Sequence, residues 1–399
     1  MAQSTPQSWR KVPRSVVALG LVALFMDTSS ELVFSLLPLF LVDALHASMV
    51  TVGILEGGAE AIAAIAKVFS GVISDRIGKR KLLTVVGYGL SAVTKPIFPL
   101  AGSVAAVLVA RFLDRIGKGI RGAPRDALVA DITPPDIRGA AFGLRQALDT
   151  VGAFAGPLLA MALMVLSAND FRAVFWWAVV PGAIAVVLLI FGVQEPAGTK
   201  PSGQRGWPIR RADLARMSGA YWWVVAIGVV WTLAGFSEAF LVLKGQQAGL
   251  PLALVPLVLV VMNIVYAVIT IPAGVVSDRI GRRKVLVVGL GVLVAADLLL
   301  AFAPGLLGLF AGVALWGGYM GLSQGLLSAL VADTAPADLR GTAFGIFNLL
   351  TGVALLAASS LAGALWAHFG STVTFATGAG FAAVAAIAFA IRSDAPAPA

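Results

Sequence analysis

The sequence GVISDRIGKRK, residues 71–81, recurs in the second half of the chain as GVVSDRIGRRK, residues 274–284. A second match pairs VADITPPDIRGAAFG, residues 129–143, with VADTAPADLRGTAFG, residues 331–345. The two offsets are 203 and 202 residues. Two independent matches at nearly the same offset predict that one structural unit occurs twice in this chain.

The composition is that of a membrane protein. Of the 399 residues, 59% are hydrophobic and 12% are charged, whereas a soluble domain carries about 25% charged residues. Apolar runs of roughly 20 residues recur along the chain, and each is long enough to span a bilayer. We therefore predict an all-α integral membrane protein, with twelve transmembrane helices in two six-helix bundles related by pseudo-two-fold symmetry. The predicted spans lie near residues 15–43, 50–73, 82–100, 103–124, 139–166, 172–193, 219–243, 251–275, 285–303, 305–330, 339–366 and 371–391.

The boundaries of the two bundles follow from the one long polar interruption. Residues 195–217 combine Gly and Pro with basic residues, which predicts a flexible linker between an N-terminal bundle, 1–194, and a C-terminal bundle, 218–399. Basic residues are concentrated in alternate short loops, the pattern that keeps loops in the cytoplasm. We expect a multi-pass protein of the cell inner (plasma) membrane, with the linker and both termini in the cytoplasm.

Several classes of site are disfavoured. The chain has no cysteine and two histidines outside the apolar runs, so we predict no metal site. No P-loop motif is present, which argues against ATP-driven pumping. The net charge of +9 is explained by the basic loops, so we expect no nucleic-acid partner. The opening MAQSTPQSWRKVPR is interpreted as a polar lead-in to the first span and not as a cleaved signal.

The repeated loop resembles the motif that the major facilitator superfamily carries between spans two and three. The matching residues are Gly71, Asp75, Arg76, Gly78 and Arg80. Their copies in the second half are Gly274, Asp278, Arg279, Gly281 and Arg283. The resemblance covers essentially the whole chain. It implies a secondary transporter of small molecules in which two bundles rock to give alternating access.

Two shorter matches concern the fourth and fifth spans. Arg111 with Gly117 and Gly119 resembles the family's fourth-span motif, whose arginine is often tied to proton coupling. Gly152, Gly156 and Pro157 resemble the fifth-span motif that is associated with antiporters. Gly-x-x-x-Gly also occurs wherever membrane helices pack closely, so the second match fits close packing as well as export.

The repeated loops also suggest a conformational latch. Asp75 lies near basic neighbours at the end of a span, where a carboxylate accepts charge-assisted hydrogen bonds or caps a positive helix end. Such contacts, repeated at Asp278, would hold the two halves together on one side and release them on the other. The alternative is that the basic residues of these loops only fix the topology.

Ionisable residues inside the spans are the candidate coupling groups, because each costs roughly 2.5–3.5 kcal/mol to insert. Seven charged residues from Arg111 to Asp126 fall within an arc of roughly 140° when each residue turns by about 100°. Arg121, Arg125 and Asp126, nearer the cytoplasmic surface, are expected to be solvated or part of the latch. The candidates for proton coupling in a cavity are Asp27, Glu31, Arg111, Asp114, Arg115, Arg145, Asp149 and Glu238. Among these we expect Asp27, Glu31 or Asp149 to bind the proton.

The second half has fewer charges in its spans. Its tenth span, the counterpart of the fourth, contains none, and Arg145 and Asp149 correspond to Phe347 and Thr351. We therefore expect coupling chemistry mainly in the first half and neutral polar or aromatic substrate contacts in the second. The candidates for lining the substrate are Glu60, Asn263, Tyr266, Trp316, Tyr319, Gln324 and Asn348.

The favoured function is secondary active transport of a small molecule, with proton-coupled efflux by antiport ahead of uptake or export of an anionic metabolite. The excess of basic residues in spans four and five favours the anionic substrate. A membrane-embedded enzyme is the remote alternative, since clustered aspartates could hold magnesium for a pyrophosphate. We expect no cofactor besides the proton, no partner besides substrate and lipid bilayer, and a monomer.

Overall fold

A computed structural model describes residues 12–195, 211–336 and 339–391, without the side chains of residues 72, 75, 76, 211, 212 and 391. Within these ranges the regular secondary structure is helical, and no strand is present. The prediction of an all-α protein is therefore confirmed.

Six helices make up the first half of the chain. They are α1 (Arg14–Phe34), α2 (Met49–Ile77), α3 (Arg80–Thr94), α4 (Val104–Ile132), α5 (Arg138–Leu166) and α6 (Phe171–Gly192). A π-helical turn, Phe40–Ala44, lengthens the region after α1, and the short helix Ile97–Leu100 follows α3 beyond Pro96. Pro124 lies inside α4, so this helix continues beyond residue 124, where the predicted fourth span ends.

The second half repeats this order. Its first helices are α7 (Gly219–Ala234), α8 (Leu257–Ile280), α9 (Arg282–Phe302) and α10 (Gly305–Thr334). A short helix, Ala239–Gln247, follows α7 after a break. The final run, Arg340–Ile391, is interrupted at Gly370, where φ is 83° and ψ is 174°. This conformation suits glycine and divides the run into α11, residues 340–369, and α12, residues 371–391.

The twelve predicted spans correspond to these twelve helices. Ten helical segments of the described chain are long and apolar enough to cross a membrane, and one of them, Arg340–Ala390, contains both α11 and α12. Helix α4 is not among the ten because its eight charged residues make it too polar. The charged residues that make α4 too polar include those that form the candidate site described below.

The chain divides into two compact units. The first contains the described residues up to His46 and from Ala59 to Glu195, whereas the second contains Ala47–Gly58 and the described residues from Arg211 onward. The first turns of α2 thus belong with the second unit. The exact bundle limits and the linker remain predictions, because residues 196–210 lie outside the described chain.

The helix boundaries follow local signals. Ser103 caps α4 by accepting a hydrogen bond from the Ala106 backbone nitrogen at 3.3 Å, and Asp170 caps α6 by accepting one from that of Arg172 at 2.9 Å. Such side chains satisfy the free N–H groups of a helix start. In the repeated loops, Gly78 and Gly281 have φ values of 67° and 93°. Both copies therefore place a glycine with a positive φ, a conformation that other residues rarely adopt, at the end of a helix.

Candidate functional site

The charged face of α4 points into the first unit. Arg111, Asp114, Arg115 and Arg121 have only 2%, 2%, 6% and 4% of their surface exposed. Small residues permit this burial: a Cβ on Gly117 would lie 2.6 Å from the Gly87 carbonyl oxygen of α3. On the other side, a Cβ on Gly119 would lie 2.6 Å from the Ala63 carbonyl oxygen of α2. The two glycines of the fourth-span motif thus allow α4 to pack closely between α2 and α3.

The best-buried charge pair joins α3 to α4. Lys95 Nζ lies 3.0 Å from Asp114 Oδ1, with the two side chains 0% and 3% exposed. The same ammonium group donates a hydrogen bond to Ser30 Oγ of α1 at 3.0 Å. Ser91 of α3 donates to the backbone oxygen of Asp114 at 3.1 Å. Lys95 therefore links three helices, because its ammonium needs several acceptors once it is removed from water.

Three cations surround the ring of Phe34 at the end of α1. The guanidinium carbon of Arg111 lies 3.6 Å from the ring centroid, that of Arg115 lies 5.0 Å away, and Lys95 Nζ lies 4.8 Å away. An aromatic face attracts cations through its quadrupole, most strongly where water is excluded. Phe34, which the sequence analysis did not select, therefore stabilises the positive charges of Lys95, Arg111 and Arg115. We call Phe34, Lys95, Arg111, Asp114 and Arg115 the α4 cluster.

Glu60 extends this cluster toward α2. Its Oε1 lies 3.2 Å from Arg115 NH1, and its side chain is 40% exposed. Lys118 is exposed, although it interacts electrostatically with Glu60, Asp27 and Glu31. The structure thus brings Glu60 into contact with the coupling candidates, whereas the sequence analysis had grouped it with substrate-lining residues.

The fifth-span glycines lie against the acidic residues of the first span. A Cβ on Gly152 would be 3.1 Å from Asp27 Cβ, and a Cβ on Gly156 would be 2.9 Å from the Leu32 nitrogen, next to Glu31. Absence of these side chains lets α5 pack directly on α1. Pro157, the third motif residue, is buried within α5.

This contact brings two carboxyl groups together. Asp27 and Asp149 interact across this contact, and both are half-buried. A hydrogen bond between carboxyl groups requires a proton on one of them, because two carboxylates offer only acceptors. Arg125 NH1 lies 3.9 Å from Asp149 Oδ1. The carboxyl pair, Asp27 and Asp149, is therefore a group that can hold one proton beside a cation.

Arg145 and Arg121 each contact a residue of another helix. Arg145 NH1 lies 3.7 Å from Asp126 Oδ1 of α4. Arg121 is not solvated, because it donates a 2.6 Å hydrogen bond to Ser91 and its guanidinium carbon lies 4.5 Å from the Tyr88 ring centroid. Packing against α3 explains this burial. Arg125 and Asp126 are both half-buried, and Arg125 Nε lies 3.2 Å from Asp126 Oδ1.

The repeated loops form matching contacts inside each unit. Arg80 Nε lies 3.0 Å from Asp131 Oδ2. Arg282, which begins α9 as Arg80 begins α3, pairs with Asp333 near the end of α10. Each pair joins the beginning of one helix to the end of the next. Arg283 donates to the Phe389 carbonyl oxygen at 3.1 Å.

The other latch candidates show little side-chain contact or fall outside the description. A Cβ on Gly71 would lie 3.5 Å from Ala123 Cβ, whereas Gly274 has open space around it. Asp278 and Arg279 are exposed. The side chains of Asp75 and Arg76 lie outside the described part of the structure, so the predicted role of these residues remains a prediction.

The second-half candidates are spread over several helices. Glu238 precedes the short helix Ala239–Gln247 and lies in the second unit. Asn263, Tyr266 and Asn348 are half-buried, and Gln324 is exposed. Trp316 and Tyr319 are 2% and 6% exposed within an aromatic cluster. Their proposed role as substrate-lining residues remains a prediction.

Sequence reasoning missed two important residues. Lys95 is not among the candidates from the sequence, although its place in an apolar span could have marked it as a partner for Asp114. Asp297 of α9 was overlooked, and it is 0% exposed in the second unit. In the described chain no group of three or more His, Cys, Asp or Glu residues could hold a metal ion.

Comparison with known proteins places this geometry in a family. A family model described as Major Facilitator Superfamily matches residues 19–264 and 234–399. The uncharacterized MFS-type transporter MJ1317 of Methanocaldococcus jannaschii is 32% identical over 370 residues, covering 91% of each chain. The class C tetracycline resistance protein of Escherichia coli is 27% identical over 84% of this chain and 86% of its own.

A solved structure shows the same fold. The nucleoside transporter NupG has a TM-score of 0.79 and 13% sequence identity, covering 95% of this chain and 98% of its own. The family match and these relatives indicate a multi-pass membrane transporter of small molecules rather than an enzyme. The resemblance stated from the repeated loops is thereby confirmed: the chain belongs to the major facilitator superfamily.

Proposed function

We propose that this transporter exports a small organic molecule in exchange for protons. The observation that carries the proposal is the carboxyl pair, Asp27 and Asp149, between α1 and α5. A proton carrier needs a carboxyl group that can be neutral or ionised as its surroundings change. Here Arg125 lies 3.9 Å from one carboxyl oxygen, and Lys118 interacts with Asp27. These cations compensate the second negative charge when the pair loses its proton.

Proton binding can shift the conformational equilibrium of the transporter through these contacts. Ionised Asp149 attracts Arg125, whereas the protonated pair releases it toward Asp126, 3.2 Å away. A ligand shifts an equilibrium only when it binds two states with different free energies. Exchange of Arg125 between two acidic partners supplies such a difference. The name of one relative, a tetracycline resistance protein, supports an organic substrate.

The test is transport in proteoliposomes with an imposed pH gradient, using a panel of anionic, cationic and neutral organic molecules. Wild-type protein is expected to accumulate at least one of them against its gradient. Asp27→Asn and Asp149→Asn should abolish pH-driven accumulation but retain exchange of labelled for unlabelled substrate. Asp136→Asn, which changes an exposed carboxylate in the loop before α5, is the matched control. Full coupled transport in both variants would exclude the carboxyl pair as the proton site.

A second candidate is proton-coupled transport of an anionic metabolite. It is favoured by the three cations around Phe34, of which Arg111 lies closest. A carboxylate or phosphate group would find charge-assisted donors there. Counterflow with anions and cations separates the two candidates: Arg111→Gln should weaken exchange of an anion and leave exchange of a cation unchanged.

We also infer the orientation and oligomeric state from the sequence pattern. The basic loops favour an inner-membrane protein with both termini in the cytoplasm. Each unit has its own helix packing, and we propose that a single chain transports. Light scattering of the purified protein in detergent measures its mass, and a dimer of stable mass would contradict the monomer.

A further inference from the structure

Asp297 is a buried carboxyl group outside the charged clusters described above. It lies in α9 within the apolar sequence VLVAADLLLAF, and its surface is 0% exposed. Neither of its carboxyl oxygens has a hydrogen-bond partner among the described residues. An ionised carboxylate in such a place is strongly disfavoured relative to the neutral acid.

The surroundings of Asp297 are aromatic. A Cβ on Gly378 of α12 would lie 2.7 Å from Asp297 Oδ2 and 3.1 Å from the ring of Phe236. Because Gly378 has no side chain, the carboxyl group of Asp297 can occupy this space. The Phe236 ring packs 5.3 Å from Trp316 and 5.4 Å from Phe375. Together these side chains exclude water from the carboxyl group.

No cation compensates Asp297 within the described chain. The titratable group that faces it is the neutral phenol of Tyr319 on α10, which stacks on Trp231 at 5.4 Å. The cations of α9 itself are Arg282, Arg283 and Lys284, and all three stand at its beginning, far along the helix from Asp297. Arg282 pairs there with Asp333, and Arg283 donates to the Phe389 carbonyl oxygen. The carboxyl group of Asp297 must therefore carry its proton in this conformation.

The position has a counterpart in the first unit. VVGYG, residues 85–89, aligns with VVGLG, residues 287–291, at the offset of 202, which pairs Lys95 with Asp297. At the same offset Asp114 corresponds to Trp316. The first unit thus holds a salt bridge where the second holds an uncompensated acid beside a tryptophan. An apolar side chain would fill the second site without electrostatic cost, so packing alone does not explain an aspartate.

We propose that Asp297 is a proton-binding site of the second unit, which keeps its proton while the aromatic side chains enclose it and exchanges it with water when they separate. Release breaks the carboxyl O–H bond, and the proton passes to water. The site is independent of the carboxyl pair and of the direction of transport. The second unit would therefore take part in proton chemistry that the sequence analysis assigned to the first.

The test is infrared spectroscopy of the full-length protein in nanodiscs at neutral pH. The carbonyl stretch of a protonated carboxyl group should be present in the wild type and reduced in Asp297→Asn. Asp333→Asn, which changes an exposed, ion-paired carboxylate of the same unit, should leave the band unchanged. If the asparagine variant does not fold, Asp297→Leu provides the same comparison with a side chain suited to an apolar site. Identical bands in wild type and variant would overturn the proposal.

Exchange is tested by transfer of the same samples to D2O. The part of the band that depends on Asp297 should shift to the frequency of the deuterated acid as the aromatic side chains separate. A band that never shifts would show a permanently enclosed acid and would also overturn the proposal. Neither measurement needs a substrate, so failure here is distinguishable from failure of the carboxyl pair in the transport assay.

Discussion

At the scale of single residues, the first unit tolerates charge because its buried cations have specific neighbours. Lys95 has Asp114 and Ser30, Arg115 has Glu60, and Arg111 stacks on Phe34. A buried ion pair is roughly neutral for stability compared with apolar residues, whereas removal of one partner leaves an uncompensated charge. The contacts of the α4 cluster therefore depend on one another, and as a set they add little to the stability of the fold.

Lys95→Met tests this constraint. The variant leaves Asp114 buried without its cation, so we expect a loss of about 3–5 kcal/mol in stability. Asp114→Leu combined with Lys95→Met removes both charges and should recover most of the loss. Thermal unfolding in detergent, followed by tryptophan fluorescence, measures both variants. Equal destabilisation in the single and double variants would show that the pair does not act as a unit.

Phe34→Leu tests the aromatic contribution. The substitution keeps an apolar side chain but removes the ring face beside Arg111, Arg115 and Lys95, and a desolvated cation–π contact contributes about 2 kcal/mol. Phe175→Leu, which changes a buried ring packed against other rings, is the matched control. The Phe34 variant should unfold at a clearly lower temperature than the control. Similar unfolding temperatures would assign Phe34 to ordinary packing.

At the scale of helices, the contact between α1 and α5 sets the distance between the two carboxyl groups. The missing side chains of Gly152 and Gly156 bring α5 onto Asp27 and Glu31. The Gly-x-x-x-Gly match could be assigned to export or to close packing from the sequence. The structure shows that close packing is what brings the acidic residues together, so the two interpretations are not exclusive.

Gly156→Val should separate these helices. Because a Cβ there would already lie 2.9 Å from the Leu32 nitrogen, the larger side chain forces α5 away and should cost about 1–3 kcal/mol. It should also reduce pH-driven transport in proteoliposomes. Gly139→Ala, at an open position of the same helix, should change neither quantity. Wild-type transport in the valine variant would contradict the proposed spacing.

The sequence correctly predicted which residues share one face of a helix. It did not predict which residues of other helices they contact. Helical periodicity grouped the charges of α4 on one face, and the structure buries Arg111, Asp114 and Arg115 together. Periodicity within one helix does not say which other helix that face meets. Helix packing was therefore needed to show that Arg145 lies beside Asp126. Lys95, a cation in an apolar span, could have been recognised as a partner for Asp114 from the sequence.

At the scale of the molecule, the duplication predicted from two short matches extends to side-chain contacts. Arg138 donates to the Ala130 carbonyl oxygen, and Arg340 donates to that of Ala332, at 3.2 Å in both cases. The interior diverges, since Lys95 and Asp114 in one unit correspond to Asp297 and Trp316 in the other. Repetition of the sequence thus predicts the fold of the second unit, but the chemistry of each interior has to be determined from its own contacts.

The orientation predicted from the basic loops can be measured directly because the chain lacks cysteine. A single cysteine at Gly102, between α3 and α4, should react with a membrane-impermeant maleimide in intact cells. A cysteine at Lys79, between α2 and α3, should react only after the membrane is opened. Both positions lie in loops and are at least partly exposed. The opposite labelling pattern would reverse the proposed orientation.

The ion pairs of the repeated loops imply a response to ionic strength. Arg80–Asp131 and Arg282–Asp333 are partly exposed, so dissolved ions screen them over a Debye length of about 8 Å at physiological salt and about 3 Å at 1 M. Lys95–Asp114 is enclosed by protein and is screened much less. Hydrogen–deuterium exchange at high salt should therefore quicken at the ends of α4 and α10, while the interior near Lys95 remains protected. Salt concentration thus offers a way to loosen the loop ends of each unit selectively without changing a residue.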